Sequence, residues 1–306
     1  MRMLVVGAGS TGGYFGGRLA QAGRDVTFLV HAARAAQLTE QGLQVVSPLG
    51  DFTLRPQLAA AGRLSGPYDA ILLTVKAFSL DSALTDMAPA VGVKTMILPV
   101  LNGMRHVDIL VKRFGKNALV GCACKIAASI DEQGRIVQAT SVQDMAYGEM
   151  NGETSPRIRS LDQFMRDAGF NARLSPAIER EMWEKWMLLA AMGGINCLMR
   201  GTIGEVARAP GGSEFALAVL AEIVAVVEAL GVAPSREFLT GTTAALTATD
   251  SSVTSSMYRD LQRGAHFEAD QIIGDLVERA REAGVSTPLL TTIYTNLCVY
   301  QHHYAR

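Results

Sequence analysis

Cysteine is scarce in this chain: four residues in 306, at Cys122, Cys124, Cys197 and Cys298. Their spacing fits no zinc-ligand pattern, and a chain this long needs no disulfide framework. A reducing cytoplasm is the simplest compartment. An excess of either charge is also missing, with 28 Lys and Arg against 29 Asp and Glu and no run of five or more like charges. A generic nucleic-acid or anionic-membrane surface needs a basic excess or patch, so neither partner is expected. Long apolar runs are interrupted as well. Phe215 to Val232 contains Glu222 and Glu228 and reads as a buried helix rather than a membrane span. The sequence opens on a strand-type run without the charged, apolar and small-residue layout of a signal segment. The motifs of zinc metalloproteases, α/β-hydrolases and P-loop enzymes are absent. His302 and His303 read as a solvated tail, so no metal is expected.

What is present is apolar bulk and glycine. Hydrophobic residues make up 49% and charged residues 19%, enough for a sizeable core in two domains. Near the start, Met3-Leu4-Val5-Val6 runs into Gly7-Ala8-Gly9-Ser10-Thr11-Gly12, and a helix-compatible stretch follows as far as Gly23. This is a strand, a tight turn and a helix N-terminus. Gly7 permits the turn, Gly9 lets backbone approach a pyrophosphate, and Gly12 lets helix and strand pack closely. The N–H groups and positive dipole end of the helix favour an anion, so Gly7, Ala8, Gly9, Ser10, Thr11 and Gly12 are expected to cradle a dinucleotide.

Asp25 to Val30 reads as the second parallel strand, at whose end NAD enzymes tend to place an acid for the ribose 2′-hydroxyl. Here the segment is Val30-His31-Ala32-Ala33-Arg34, with no acid. Arg34, assisted by His31, is the expected partner of a 2′-phosphate, which points to NADP(H). The alternative is an Arg34 solvated in a first helical turn. Leu43 to Ser47 and Phe52 to Leu54 read as short strands, and Asp69 to Val75 and Lys94 to Leu98 as buried ones. Lys76 and Asn102 sit just past the ends of the last two, where open parallel sheets carry their ligands. Ala118 to Ala127, Arg135 to Ala139 and Gln143 to Tyr147 have strand character and are expected to extend that sheet. Phe170 to Leu174 is a last strand, and Ser175-Pro176 marks the boundary between domains of residues 1–175 and 176–306.

From Ala177 strand signals cease. Helices are expected over Ala177 to Met199, with Gly193-Gly194 as a break, then Ser213 to Leu230, Pro234 to Leu246, Ser255 to Arg263 and Glu268 to Ala283, with a last helix from Pro288. Two charged residues here could do chemistry. Lys185 lies in the apolar stretch Met182-Trp183-Glu184-Lys185-Trp186-Met187, and Glu268 opens a helix after Gly264-Ala265-His266-Phe267. Burial helps a lysine act as a proton donor near neutral pH, and a carboxylate nearby orients it. The plainer alternatives are a snorkelling lysine and a first-turn carboxylate answering a helix dipole.

Read in order, several stretches resemble the ketopantoate reductase family over essentially the whole chain. They are the Gly7–Gly12 loop, Thr74-Val75-Lys76-Ala77, Leu101-Asn102-Gly103-Met104, Trp183-Glu184-Lys185, Gly204-Glu205, and Ser255-Ser256-Met257-Tyr258-Arg259-Asp260 leading to Glu268. The resemblance implies an α/β fold, an N-terminal NADP-binding Rossmann domain followed by an all-helical domain, with the active site in the cleft between them. It implies NADPH-dependent reduction of 2-dehydropantoate to pantoate, a step of pantothenate biosynthesis. Lys185 would be the general acid, Asn102 would hold the substrate oxygen or nicotinamide, and Ser256 would bind the substrate carboxylate. Glu268 would orient the site near the nicotinamide, and Lys76 and Ala127 would line the cofactor. Expected partners are a small 2-oxo acid and a second copy of the chain.

The sequence also departs from that family's pattern. Its substrate-gripping asparagines fall here on Leu189, Gly193 and Ile203, with Asn196 nearby as a partial substitute. His31 stands where the family often has an arginine. Losing those amides suits a more apolar substrate. A different 2-oxo acid, aldehyde or ketone therefore stays open as substrate, as does a non-catalytic NADP-binding sensor, although intact Lys185 and Glu268 speak against the sensor.

Overall fold

The computed structural model describes residues 1–304 and divides into two compact units. The first, Met1–Leu101 with His106–Glu179, is α/β. Its elements begin with β1 (Arg2–Val6), α1 (Ser10–Gln21), β2 (Asp25–Leu29), α2 (Ala32–Gln41), β3 (Leu43–Val46), β4 (Phe52–Leu54) and β5 (Gln57–Ala59). They continue with β6 (Ala70–Leu73), α3 (Leu80–Met87), β7 (Met96–Pro99), α4 (Arg105–Phe114), β8 (Gly121–Ile130), β9 (Ile136–Gly148), α5 (Pro156–Met165) and β10 (Asn171–Leu174).

One sheet has the order β5-β2-β1-β6-β7 with every pair parallel. Its central strands are apolar at every buried position, as parallel strands covered on both faces must be. From β1 the chain builds outward through β2 and then returns to place β6 on the other side. That reversal is the topological switch point at which such sheets bind ligands.

The strands expected to extend this sheet form a second one instead, with order β10-β9-β3-β4 and β8 antiparallel to β9. The chain does pair once more with the first sheet, at Ile97 and Leu119, before turning away. The tight turn at Asp131–Gly134 then forces β8 and β9 to be antiparallel, and β9 continues through Thr140 and Ser141 across a register shift, with β8 paired to it on either side at Gln138 and Gln143. Helix α1 lies between the two sheets, and its glycines make that possible. A Cβ on Gly16 would sit 2.7 Å from the Phe28 ring of the parallel sheet, and one on Gly17 2.9 Å from Leu43 of the mixed sheet. The short edge strand β5 carried no clear signal in the sequence.

Glu149 fastens the end of β9 to α5. Its buried carboxylate accepts from Arg157 Nε at 2.7 Å, Arg157 Nη2 at 2.6 Å and Ser155 Oγ at 2.5 Å. The Arg157 hydrogen bond is the main reason its pKa lies below the ordinary carboxylate value. A carboxyl depressed on folding contributes stability that is full above its unfolded pKa and is lost as pH falls through the folded one. Glu149→Gln is therefore expected to cost about 1–2 kcal/mol at neutral pH, discounted because Arg157 is partly exposed, and to flatten the acid limb of the stability curve. Urea unfolding across pH checks this, and parallel acid limbs would contradict it.

The second unit, Asn102–Arg105 with the chain from Arg180 onward, is helical. Its helices are α6 (Ile178–Met199), α7 (Ile203–Arg208), α8 (Gly212–Ala229), α9 (Arg236–Leu246), α10 (Ser256–Gln262), α11 (Asp275–Glu282) and α12 (Pro288–Tyr304), with a π-helical turn at Asp270–Gly274 leading into α11. Ile178, at the start of α6, groups with the first unit, where it packs on Gly121 and Gly148. Asn102–Arg105 joins the second unit because a Cβ on Gly103 would lie 2.4 Å from the Gln271 carbonyl, so the turn rides against that backbone. The expected break at Gly193-Gly194 does not occur. Both glycines stay helical, and the Cβ space of each is taken by a neighbour, Met257 at Gly193 and Ile293 at Gly194. Glu222, which interrupts the apolar α8, accepts from the N–H groups of Leu289 and Leu290 at 2.9 Å and so caps α12.

Candidate active site

The glycine loop has the geometry its spacing predicts. Gly7 takes φ +95°, which L side chains resist, and Gly9 stands at the N-cap of α1 with extended backbone. No side chain caps the helix and its first turn carries no acid, so nothing of its own answers the dipole. A Cβ built on Gly9 meets nothing within 4 Å, leaving an open cradle, whereas one on Gly12 would lie 2.1 Å from Thr74 Oγ1 and 2.2 Å from the Gly7 carbonyl. Open space at one glycine and contact at the other fit a pyrophosphate lying on this turn. Thr74 was missed as a site residue. Its hydroxyl lies 2.9 Å from the Val6 carbonyl and 3.0 Å from that of Gly7, bracing the turn from the end of β6. Its cues were its place two residues before Lys76 at a strand end and its membership of the Thr74-Val75-Lys76-Ala77 stretch.

Lys76 follows β6 as an exposed residue at the head of a short 3₁₀ turn. Ala127 sits where the β8–β9 register shifts, between Ile126 and Ala128. Such bulges re-aim side chains and recur beside active sites. His31 is exposed at the N-cap of α2. Arg34 is not the solvated residue of the alternative reading. Its Nε donates to the Ala8 carbonyl at 3.1 Å, and Nη1 donates to the Gly134 carbonyl at 2.8 Å and to Gln37 Oε1 at 2.6 Å. Among the described residues only Nη2 of this guanidinium lacks a protein acceptor. Partial burial lowers its pKa without threatening its charge.

In the second unit, Asn102 and Glu268 meet. Asn102 Nδ2 donates to Glu268 Oε2 at 3.1 Å, and Glu268 is 6% exposed. A buried carboxylate with an amide donor is a fixed acceptor, suited to orienting a polar group beside it. Lys185 is half-buried on α6, between the buried Trp183 and Trp186. Ser256 is exposed as the first residue of α10, whose N-cap Ser255 accepts from the Tyr258 N–H at 3.1 Å. Asn196 is wholly buried. Its Nδ2 donates to the Gly201 carbonyl at 2.8 Å and its Oδ1 accepts from the Ser255 N–H at 2.9 Å. With one backbone partner at each end of its amide, Asn196 holds the start of α10.

A family model described as "Ketopantoate reductase PanE/ApbA" matches residues 3–152, and its C-terminal counterpart matches residues 177–301. The chain belongs to the ketopantoate reductase family. It is 35% identical to the "Uncharacterized oxidoreductase YkpB" of Bacillus subtilis (strain 168), over 98% of this chain and 99% of that one. Among solved structures it is similar to a 2-dehydropantoate 2-reductase from Geobacter metallireducens GS-15, at 25% identity and TM-score 0.86 over 97% of this chain and 99% of the other. It shares its fold with a D-mandelate dehydrogenase solved with NADH and anilino(oxo)acetate, at 21% identity and TM-score 0.89 over the full length of both. A ketopantoate reductase family member with this architecture is an oxidoreductase. Among the described residues no helix is long and apolar enough to cross a membrane, and no group of His, Cys, Asp and Glu could hold a metal ion.

Proposed function

We propose that the protein reduces the ketone of a 2-oxo acid with NADPH, and that 2-dehydropantoate is its substrate. The observation that carries this reading is the buried Glu268 carboxylate held by the Asn102 amide. It sits in the same unit as the half-buried ammonium of Lys185. The dinucleotide, when bound, supplies the hydride. The α1 N-terminus and the open space at Gly9 hold its pyrophosphate, with Lys76 and Ala127 lining it. Lys185 donates a proton to the carbonyl oxygen, stabilising charge that develops there only in the transition state. Asn102 and Glu268 orient the reacting groups, and Ser256 binds the substrate carboxylate. Four free cysteines fit a reducing cytoplasm, and a homodimer is the expected assembly.

Preference for NADPH rests on Arg34 and the missing acid at the end of β2. Arg34→Ala is expected to weaken NADPH about tenfold, the value of a charge-assisted hydrogen bond to phosphate, and NADH only slightly. Fluorescence titration of both cofactors measures this. Equal losses would mean that Arg34 serves only to tie Ala8 to Gly134.

A second substrate reading is favoured by one feature of α6. Leu189, Gly193 and Asn196 follow Lys185 at helical spacing, along one face. Leu189 is apolar, the notch at Gly193 is filled by the Met257 methyl group, and the Asn196 amide is committed to backbone. That face offers no uncommitted side-chain amide to a hydroxylated substrate, and an apolar 2-oxo acid suits it better. Ranking kcat/KM with NADPH for 2-dehydropantoate, branched 2-oxo acids and phenylglyoxylate decides between the two. A clear lead for 2-dehydropantoate supports the first, and a lead for the apolar acids supports the second.

A further inference from the structure

Three segments far apart in sequence carry the proposed site residues of the second unit: α6 with Lys185, the turn with Asn102, and the segment from Glu268 into the π-helical turn, with Asn102 and Glu268 hydrogen-bonded to one another. One side chain touches all three. The indole N–H of Trp186, 1% exposed, donates at 3.0 Å to the carbonyl of Ile272, inside the π-helical turn. Ile272 is also tied back to the site residue, since its own N–H donates to the Glu268 carbonyl at 3.0 Å. The same indole nitrogen lies 3.8 Å from the Cβ position of Gly103, the residue after Asn102, and that position is 2.4 Å from the Gln271 carbonyl. Gly103 has φ +80°, so the turn is fitted to this backbone by conformation as well as by space. Arg279 lies 5.8 Å from the centres of both the Trp186 and Trp183 rings, with its Nε 3.2 Å from Asp275 Oδ2, and so closes the far side.

We infer that Trp186 is a positioning residue for the reduction: its indole N–H sets the π-helical turn, and through it Glu268 and Asn102, against the helix that carries Lys185. A π-helical turn is a costly departure from α geometry and is retained where it places functional groups. Here a buried indole donor satisfies a carbonyl within that turn. Removing the donor while keeping an aromatic ring leaves the carbonyl without its partner and loosens the segment that ends on Glu268.

The neighbouring tryptophan supplies the control. Trp183 packs against Trp186 with ring centres 5.3 Å apart, yet its own indole nitrogen is buried without a hydrogen-bond partner. Trp183→Phe therefore removes ring area of the same kind and breaks no hydrogen bond. The inference rests on the 2-oxo acid reductase reading, so the test has one readout that needs no substrate. In hydrogen–deuterium exchange, Trp186→Phe is expected to speed exchange about tenfold or more across Glu268–Gly274, and Trp183→Phe to leave that segment near wild type. In steady-state assays Trp186→Phe is expected to lower kcat about tenfold with KM for the 2-oxo acid within about twofold, since small misplacements cost rate more than binding. Unchanged exchange in Trp186→Phe, or equal changes in the two variants, would overturn the inference, as would faster exchange with an unchanged kcat. Faster exchange confined to Trp186→Phe in a protein that turns over no 2-oxo acid would support the structural coupling and sink the reductase reading.

Discussion

Lys185→Ala is expected to lower kcat for the 2-oxo acid by about 100-fold or more, the usual cost of losing a positioned general acid. The affinity for NADPH should hold, because the dinucleotide is assigned to the glycine loop of the other unit. Stability should hold too, since Lys185 is half-buried on a long helix whose core contacts come from Trp186 and Met187. The pairing of lost rate with retained cofactor binding is what marks a proton donor. A variant that turns over like the wild type would remove Lys185 from that role. A variant that loses NADPH binding to the same extent would assign it to the cofactor instead.

The second large effect is expected at Gly9, with Gly12 as its counterpart. Gly9 has φ −76°, which alanine adopts freely, and nothing stands within 4 Å of its Cβ position. Gly9→Ala should fold with wild-type stability, within about 0.5 kcal/mol, as substitutions free of clash usually do. It should nevertheless bind NADPH about 100-fold more weakly, because the added methyl group occupies the space that backbone must leave for a pyrophosphate. Gly12→Ala should behave differently. Its Cβ would lie 2.1 Å from Thr74 Oγ1 and 2.2 Å from the Gly7 carbonyl, so it should lose about 1–3 kcal/mol of stability as well as the cofactor. Thermal unfolding and NADPH titration on both variants separate the two effects. Wild-type affinity in Gly9→Ala would show that the cradle is not where the dinucleotide lies.

How much of this could be read in the sequence depended on the range of the interactions. The glycine loop was legible because its physics is local: a turn, a helix N-terminus and a close contact, all within a few residues. The parallel strands and the helical half were legible because burial writes its own periodicity. The mixed sheet was not, because β8 and β9 have the same strand character whether they extend one sheet or start another. The choice is made by the turn at Asp131–Gly134 and by the glycine face of α1. Gly193-Gly194 read as a break because glycine weakens a helix, but Met257 and Ile293 occupy the space the absent side chains leave. Among the site residues, Asn196 shows the limit most clearly. An asparagine near the expected substrate face reads as a ligand in the sequence, and only the fold shows its amide bonded to the backbone of Gly201 and Ser255. Asn102 and Glu268, 166 residues apart, were each picked out by position, one past a strand end and one opening a helix, and given roles by the family resemblance, but their hydrogen bond to one another belongs to the fold alone.

A single-turnover experiment is the most direct test of the reductase chemistry: enzyme preloaded with NADPH is mixed with 2-dehydropantoate, or with the best acid of the panel, and NADPH absorbance is followed. The expected result is a fast loss of one equivalent per site in wild type and a loss slower by about 100-fold or more in Lys185→Ala. Bound NADPH that stays reduced in the presence of every 2-oxo acid tried would contradict it and leave a nucleotide-binding protein without this chemistry.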